Sequence, residues 1–375
     1  MAAPSAGGSL EDSGTSTGAH GEPRPPSPHP LPFLSVIVTA HGRRQYLLGA
    51  VRSIVRQQVP REEYEVLVVK DFADPSIDAE LDRSGVSHRE TSAVPLGAKV
   101  ALGTREARGE VLLFLEDDDE YSPGRLSHIL ELFRADPSLG FYRNGQDRID
   151  ADGQPLPLPS YGRAHDNLIR LGSVRSTAEE LPKRTGTLAR VDPDFNLSSM
   201  AIRRRILLPL LTELAGQSAA VDSFMFYAAL GARQTVLVES APLTRYRIHG
   251  SNISLWTASD AEGRQKRAAY QRSFLEGFRP IYERAVRDGP PTAARLAGGN
   301  YFGSWVLYRV LTCEGGRGAL LGDLLRYWRW SPRGVARYRK DITAWGLGAI
   351  VAPRRTQSRF IAQRAREASR ARPAG

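Results

Sequence analysis

One cysteine in 375 residues, Cys313, leaves the chain no internal disulfide and no multi-cysteine zinc site. That fits a reducing compartment. Also missing is any stretch of about 18 uncharged apolar residues, the length a membrane span requires. The nearest approaches, 296–308 and 342–353, are too short. The first 32 residues lack a basic start and an apolar run, so a disordered Gly-, Ser- and Pro-rich tail is expected there rather than a signal peptide. Acidic residues are scarce in the last third. Residues 251–375 carry 23 Lys and Arg against 9 Asp and Glu, whereas residues 1–250 carry 28 against 32. All five tryptophans, Trp256, Trp305, Trp328, Trp330 and Trp345, lie in that second part. The net charge of +10 is therefore a property of a C-terminal region. A nucleic-acid-binding protein is the class such basicity first suggests. No recognised nucleic-acid motif accompanies it, so no nucleic-acid partner is expected.

What is present begins at residue 33, with the β-branched run Leu34-Ser35-Val36-Ile37-Val38-Thr39 of a buried parallel strand. Helical spacing of Tyr46, Leu47, Ala50, Val51, Ile54 and Val55 predicts a helix over 45–57. Further strands are expected at 64–69 and 111–115, with a helix over 96–108 between them. Ser122 and Pro123 predict a capped helix with proline at its first position, running to Phe133. This alternation implies an α/β fold, a mainly parallel, doubly wound sheet flanked by helices. Ligands in such sheets bind beyond the carboxyl ends of the strands. Residues 141–195, with Pro155, Pro157, Pro159 and a turn at Asp152-Gly153, are expected to form an insertion over that face. Regular structure returns at 200–211, 223–230 and 235–239, and beyond 258 the chain reads as helical and basic. The expected division is a tail over 1–32, a catalytic domain over 33–257 with halves 33–140 and 141–257, and a helical region over 258–375.

The 111–115 strand ends in Glu116-Asp117-Asp118-Asp119-Glu120. Adjacent carboxylates repel and call for a counter-charge. Mg²⁺ and Mn²⁺ take oxygen ligands and hold phosphates through one or two carboxylates, so a strand-end cluster suits a metal–diphosphate site. A solvated acidic loop is the plain alternative, and the apolar strand that delivers the cluster to the ligand edge favours the site. Asp71 and the segment Thr39-Ala40-His41-Gly42 reach the same edge. A carboxylate at 71 suits a base or ribose, and backbone groups at 38–40 suit a base edge. Singly, each is also an ordinary turn residue.

The order of these elements resembles the family 2 glycosyltransferases with the GT-A fold. The matching stretches are 36–43, 68–71 (Val-Val-Lys-Asp), 96–110 and 114–119 (Phe-Leu-Glu-Asp-Asp-Asp). Downstream, 196–204 resembles the family's acceptor-side strand, Val221-Asp222 its base-bearing segment, and 246–254 (Tyr-Arg-Ile-His-Gly-Ser-Asn-Ile-Ser) its closing motif. The resemblance spans about residues 33–255 and implies an inverting, nucleotide-sugar-dependent transferase using Mn²⁺ or Mg²⁺. Asp222 would be the general base. Asp118 and His249 would hold the metal. Thr39, Ala40, His41, Asp71, Lys99, Glu116, Asp117 and Arg247 would form the donor side, with Lys99 or Arg247 steadying phosphate charge. The chain departs from the pattern at Lys70, Phe72, Val100, Ala101 and Val221, and carries Glu116 where the family has Asp. A sugar-phosphate nucleotidyltransferase would want a Gly-rich, Arg-containing loop after the first strand, which 39–44 does not supply. A non-catalytic module of the same fold would not need Asp118, Asp222 and His249.

In the basic region, Leu320, Leu321, Leu324, Leu325 and Trp328 fall on one helical face, with Arg326, Arg329, Arg333, Arg337, Arg339 and Lys340 on or near the other. Such a helix suits an anionic bilayer surface, and equally suits packing of its leucines on the catalytic domain. Expected partners are a nucleotide-diphosphate sugar, a glycan or lipid-linked acceptor and an anionic membrane surface. The expected place is cytoplasmic, with peripheral attachment to the inner face of the cell membrane.

Overall fold

The computed structural model describes residues 31–93, 95–156, 163–249, 261–331 and 336–370. The tail before residue 31, Pro157, Pro159, the 250–254 end of the closing motif, Trp256 and Arg333 lie outside them. The strands are β1 (Leu34–Ala40), β2 (Tyr64–Lys70), β3 (Ser87–Glu90), β4 (Val111–Glu116), β5 (Glu120–Tyr121), β6 (Leu139–Ile149), β7 (Ser173–Ser176), β8 (Met200–Arg203) and β9 (Thr235–Arg247). Helices of the sheet region are α1 (Arg44–Val55), α2 (Pro75–Arg83), α3 (Leu96–Glu106), α4 (Arg125–Ala135), α5 (Arg163–Leu171), α6 (Leu181–Leu188), α7 (Arg204–Leu207), α8 (Leu211–Ala215) and α9 (Val221–Gly231). Five helices follow: α10 (Ala261–Arg287), α11 (Pro291–Thr312), α12 (Gly316–Trp330), α13 (Ala336–Val351) and α14 (Pro353–Arg370).

The strand order is β3-β2-β1-β4-β8-β6-β9-β5, with β7 on β9. Strands β3, β2, β1 and β4 run parallel, so the carboxyl ends of β1, β2 and β4 open on one edge. The sheet is mixed rather than uniformly parallel, because β8 is antiparallel to both neighbours, β4 and β6. A four-residue strand carries too little periodicity to reveal its direction in sequence.

Alternation along β1 sorts its side chains between two cores. Val36 and Val38 face Leu47, Val51 and Ile54 of α1, and Ile37 joins Phe114, Met200 and the α9 residues Phe224 and Phe226 on the other side. Truncating a fully buried aromatic such as Phe114 would cost about 3–5 kcal/mol. Helices α10 and α11 belong to that second core through Phe278, Ile281, Leu296 and Ala297. A third cluster, with Val306, Val310, Leu324 and Phe360, joins the remaining helices.

Two glycines decide local geometry. A Cβ at Gly97 would lie 2.1 Å from the Leu214 carbonyl oxygen, so only glycine lets α3 and α8 approach. Gly124, at φ 82°, is the N-cap of α4. The helix therefore starts at Arg125, two residues beyond the expected proline start, because the chain makes a left-handed turn first. The predicted strand at 235–239 extends to Arg247 as β9 and pairs with β6 almost throughout.

Candidate active site

Strand register brings three chain segments together. Thr39 pairs with Val69 of β2 and Glu116 of β4 across the sheet. Just past these pairs, Asp71 accepts from Lys99 Nζ at 2.7 Å and from the Gly42 amide at 3.1 Å, and contacts the His41 ring. Lys99 is buried and also donates to the Ala40 carbonyl at 3.0 Å. Burial would raise the Asp71 carboxyl, but Lys99 and His41 outweigh it and hold it below the usual carboxylate range.

The acidic run is folded inward rather than solvated. Asp117, Asp118 and Asp119 are 0%, 5% and 1% exposed, which excludes the solvated-loop alternative. The Asp117 amide donates to the Thr39 carbonyl at 3.1 Å, and its carboxylate accepts from the His41 amide at 2.8 Å. Arg43 bridges the run: Nη2 lies 2.5 Å from Asp117 Oδ1 and Nη1 lies 2.5 Å from Asp118 Oδ2. Burial alone would lower the Arg43 pKa, and the charges of Asp117, Asp118 and Glu116 raise it instead. His249 Nε2 approaches the same Asp118 Oδ2 at 2.9 Å, with the Tyr46 ring beside it. Asp119 accepts from the Arg247 amide at 3.0 Å, and burial together with the Asp118 charge pushes it up to about 7. Glu116 is pushed well above its ordinary value by burial and by Asp118 and Asp119.

The Arg247 side chain is engaged elsewhere. It donates to Glu120 at 2.6 Å and to the Asp118 carbonyl at 2.7 Å, and caps the Asp150–Ala151 turn. The structure thus places Arg247 beneath the acidic run, as a clamp on its backbone.

Asp222 stands in the first turn of α9, beside Asp194, which accepts from Ser223 Oγ at 3.0 Å. Burial and then the Asp194 charge push Asp222 up to about 7. Asp192 is pushed up to about 6 by burial and Asp194, with buried Arg143 opposing. A cavity of about 660 Å³ is lined by Arg43, Glu116, Asp118, Asp194 and Asp222 together, and Tyr270 of α10 feels the charge of both Asp222 and Glu116. Lys99, Asp71 and His41 form a neighbouring cluster at the end of β2. Backbone strain concentrates at this cavity: Asp192, Asn196 and Ala220, at φ 43°, 62° and 58°, all line it. Non-glycine residues persist there only when their surroundings hold them, and such positions cluster at functional sites. Asn196 shows how, donating to Asp119 and to Gln146 while accepting from the Ser198 amide at 2.8 Å.

Sequence reasoning missed Arg43, Asp194, Asn196 and Tyr270. Arg43 directly follows the flagged segment 39–42 and was within reach as the nearest cation. Asn196 opens the matched stretch 196–204 without being singled out there, whereas Asp194 and Tyr270 belong to no motif and only the fold brings them to the site.

The parallel strand ends, the buried acidic run and the helical cover define a glycosyltransferase fold of the GT-A type. Residues 35–178 match the model of glycosyl transferase family 2. It is 24% identical over 269 residues to a protein of Bacillus subtilis named as glycosyltransferase EpsH, covering 67% of each chain. It is 28% identical over 133 residues to one named as the teichuronic acid biosynthesis glycosyltransferase TuaG of the same organism, covering 33% of this chain and 51% of the relative. An uncharacterized glycosyltransferase of Haemophilus influenzae is 27% identical over 112 residues, 29% of this chain and 37% of the relative. The chain therefore spans from about a third to two thirds of the length of these curated relatives. Among solved structures, TarS of S. aureus shares the fold, with a TM-score of 0.57 at 14% identity over 91% of this chain and 93% of that one.

Proposed function

We propose that the chain moves a sugar from a nucleoside-diphosphate donor to an acceptor hydroxyl, with inversion at the anomeric carbon. The observation that carries this reading is the single cavity in which Glu116 and Asp118 meet Asp222. Asp222 in its ionised form takes the proton of the acceptor hydroxyl. The acceptor oxygen then bonds to the anomeric carbon, and the bond to the diphosphate breaks with its electron pair leaving on the diphosphate. A base titrating near 7 is both strong enough to take the proton and ionised often enough to do so. Asp71, held ionised by Lys99, suits the hydroxyls or base of the nucleoside. Thr39, Ala40 and His41 border that place.

Mg²⁺ and Mn²⁺ need one or two protein donors when phosphate and water complete the shell. Asp118 Oδ2 and His249 Nε2, both buried and 2.9 Å apart, offer such a pair. No group of three or more metal-ligating side chains occurs among the described residues. The donor set therefore fits a cation shared with the diphosphate, and the imidazole favours Mn²⁺. Such an ion would neutralise charge on the leaving diphosphate. Arg43 supports a second reading, because its guanidinium already sits on Asp117 and Asp118. In that reading Arg43 faces the diphosphate and no metal is needed.

The acceptor is a glycan, polysaccharide or lipid-linked molecule, and the basic helices attach the protein peripherally to an anionic membrane surface, the cytoplasmic face in this reading. No helix among the described residues is long and apolar enough to cross a membrane.

Calorimetry with UDP and GDP, with and without Mn²⁺, tests the core of this reading. Tight binding of one nucleotide only with Mn²⁺, lost in Asp118→Ala, is expected. Equal binding in chelator favours the Arg43 reading, and binding of neither nucleotide under either condition overturns the transferase reading.

A further inference from the structure

The cavity does not end at the carboxylates. Beyond Asp222 it continues between α10, α11, α12 and α13, where Phe274, Leu296, Leu307, Tyr327 and Ile342 form its wall. On α11 the lining positions Leu296, Gly299, Gly303 and Leu307 recur at helical spacing, so one stripe of that helix faces the space. Small residues keep the stripe open. A Cβ at Gly303 would already lie 3.1 Å from Ile342 Cδ1 and 3.2 Å from the Tyr327 ring, so any side chain there would intrude on the wall.

The charge pattern is the second observation. Residues 251–375 carry 23 Lys and Arg. Among the described residues of this region, none that lines the cavity is charged. The charge among the described lining residues is at the reacting end, in residues such as Arg43, Glu116, Asp118 and Asp222. A space built for a polyanionic acceptor would present some of the nearby arginines. The described lining of this one presents none.

We infer that the inner half of the cavity receives an uncharged apolar group, an alkyl or aryl aglycone, attached close to the hydroxyl that reacts at Asp222. This rests on the transferase reading and narrows its acceptor from any glycan to an amphipathic one. Specificity follows from desolvation: a free sugar leaves the half-buried Leu307 and Ile342 in contact with water, whereas an alkyl chain removes that surface from water. Each buried methylene then strengthens acceptor binding severalfold.

The test pairs glucose, mannose and N-acetylglucosamine, each as the free sugar and as the octyl β-glycoside, in the presence of UDP or GDP. Saturation-transfer NMR reads which ligand protons touch the protein. Strong transfer to octyl protons is expected, with at least ~tenfold tighter binding of an octyl glycoside than of its free sugar. Ser304→Trp, which fills the half-buried lining position 304, should abolish the octyl signal while leaving nucleotide binding by calorimetry unchanged. Should that variant fail to fold, Leu307→Asp places a charge on the same wall and should weaken the octyl glycoside at least ~tenfold. Equal affinity of sugars and octyl glycosides, or octyl transfer that survives Ser304→Trp, overturns the inference. Nucleotide binding without octyl binding sinks the inference alone. Octyl binding without nucleotide binding sinks the transferase reading and leaves the apolar site standing.

Discussion

The two sides of the cavity treat carboxylates in opposite ways. At the ends of β1, β2 and β4, acids meet cations directly: Asp71 meets Lys99, Asp117 and Asp118 meet Arg43, and Glu120 meets Arg245 and Arg247. Around α9, Asp222 has backbone N–H groups and a neighbouring carboxylate, Asp194, while Arg143 opposes Asp192 and Asp194. Asp71, paired with Lys99, is held ionised, which suits a binding side that must not change during the reaction, whereas Glu116, Asp117 and Asp119 are raised by burial. Acids raised toward neutrality by burial and like charge can exchange a proton. In the proposed reading the cation-paired side binds the donor and Asp222 takes the proton.

The largest effect should come from breaking the second side. Asp222→Asn keeps the shape and the first turn of α9 but cannot accept a proton. Transfer should fall by about 10²–10⁴, with nucleotide binding unchanged by calorimetry. A loss of nucleotide binding equal to the loss of turnover would place Asp222 with the binding acids and dissolve the distinction.

The next effect breaks the first side. Arg43→Ala leaves Asp117 buried without its cation, at a cost of about 3 kcal/mol in urea unfolding. Mn²⁺ should raise the melting temperature of this variant more than that of the wild type if, as proposed, the metal would share Asp118 Oδ2 with the guanidinium. An equal Mn²⁺ response in both proteins would mean that Arg43 and the metal occupy different places.

Titration sharpens the comparison further. With Asp222 near 7, kcat/KM should rise with pH through a limb close to 7. Asp194→Asn removes a negative charge beside the base, so the limb should move to lower pH, which a merely structural role for Asp194 would not produce. Stability should run the other way. Asp222 and Asp119, both near 7, and Asp192, near 6, bind protons more tightly folded than unfolded. Their protonated forms stabilise the native state fully below the unfolded carboxylate range, and that stability is lost as pH rises toward 7. Unfolding midpoints should therefore fall between about pH 4 and 7 from this group of acids, and Asp222→Asn should flatten the slope.

Strands β1, β2 and β4 and the acidic run were legible because all are local signals, whereas the polar four-residue strand β3 was not. Short apolar runs, and five adjacent carboxylates after one of them, need no partner to be recognised. The acceptor side was legible only in Asp222 and the stretch 196–204. Asp194 comes from an irregular stretch, Tyr270 from a helix some fifty residues beyond Asp222, and the strained Asn196 from a short 3₁₀ start whose φ no composition reveals. The amphipathic leucines were half legible. Leu320 and Leu324 are buried in the third core as expected for packing, whereas Leu321 and Leu325 are 45% and 53% exposed.

That split leads to the smallest expected effect on the fold. Leu321 and Leu325 lie one helical turn apart on α12, and Leu347 and Val351 lie one turn apart on α13, all four exposed. Replacing Leu321 and Leu325 with serine removes no core contact, so stability should change by about 0.5 kcal/mol or less. If this face rests on a membrane, the same double variant should lose most of its binding to anionic liposomes at low salt, while neutral liposomes bind neither protein. Unchanged liposome binding would return the leucines to ordinary surface and leave the arginines as the only contact with lipid. No binding by the wild type would remove the membrane from the proposal altogether.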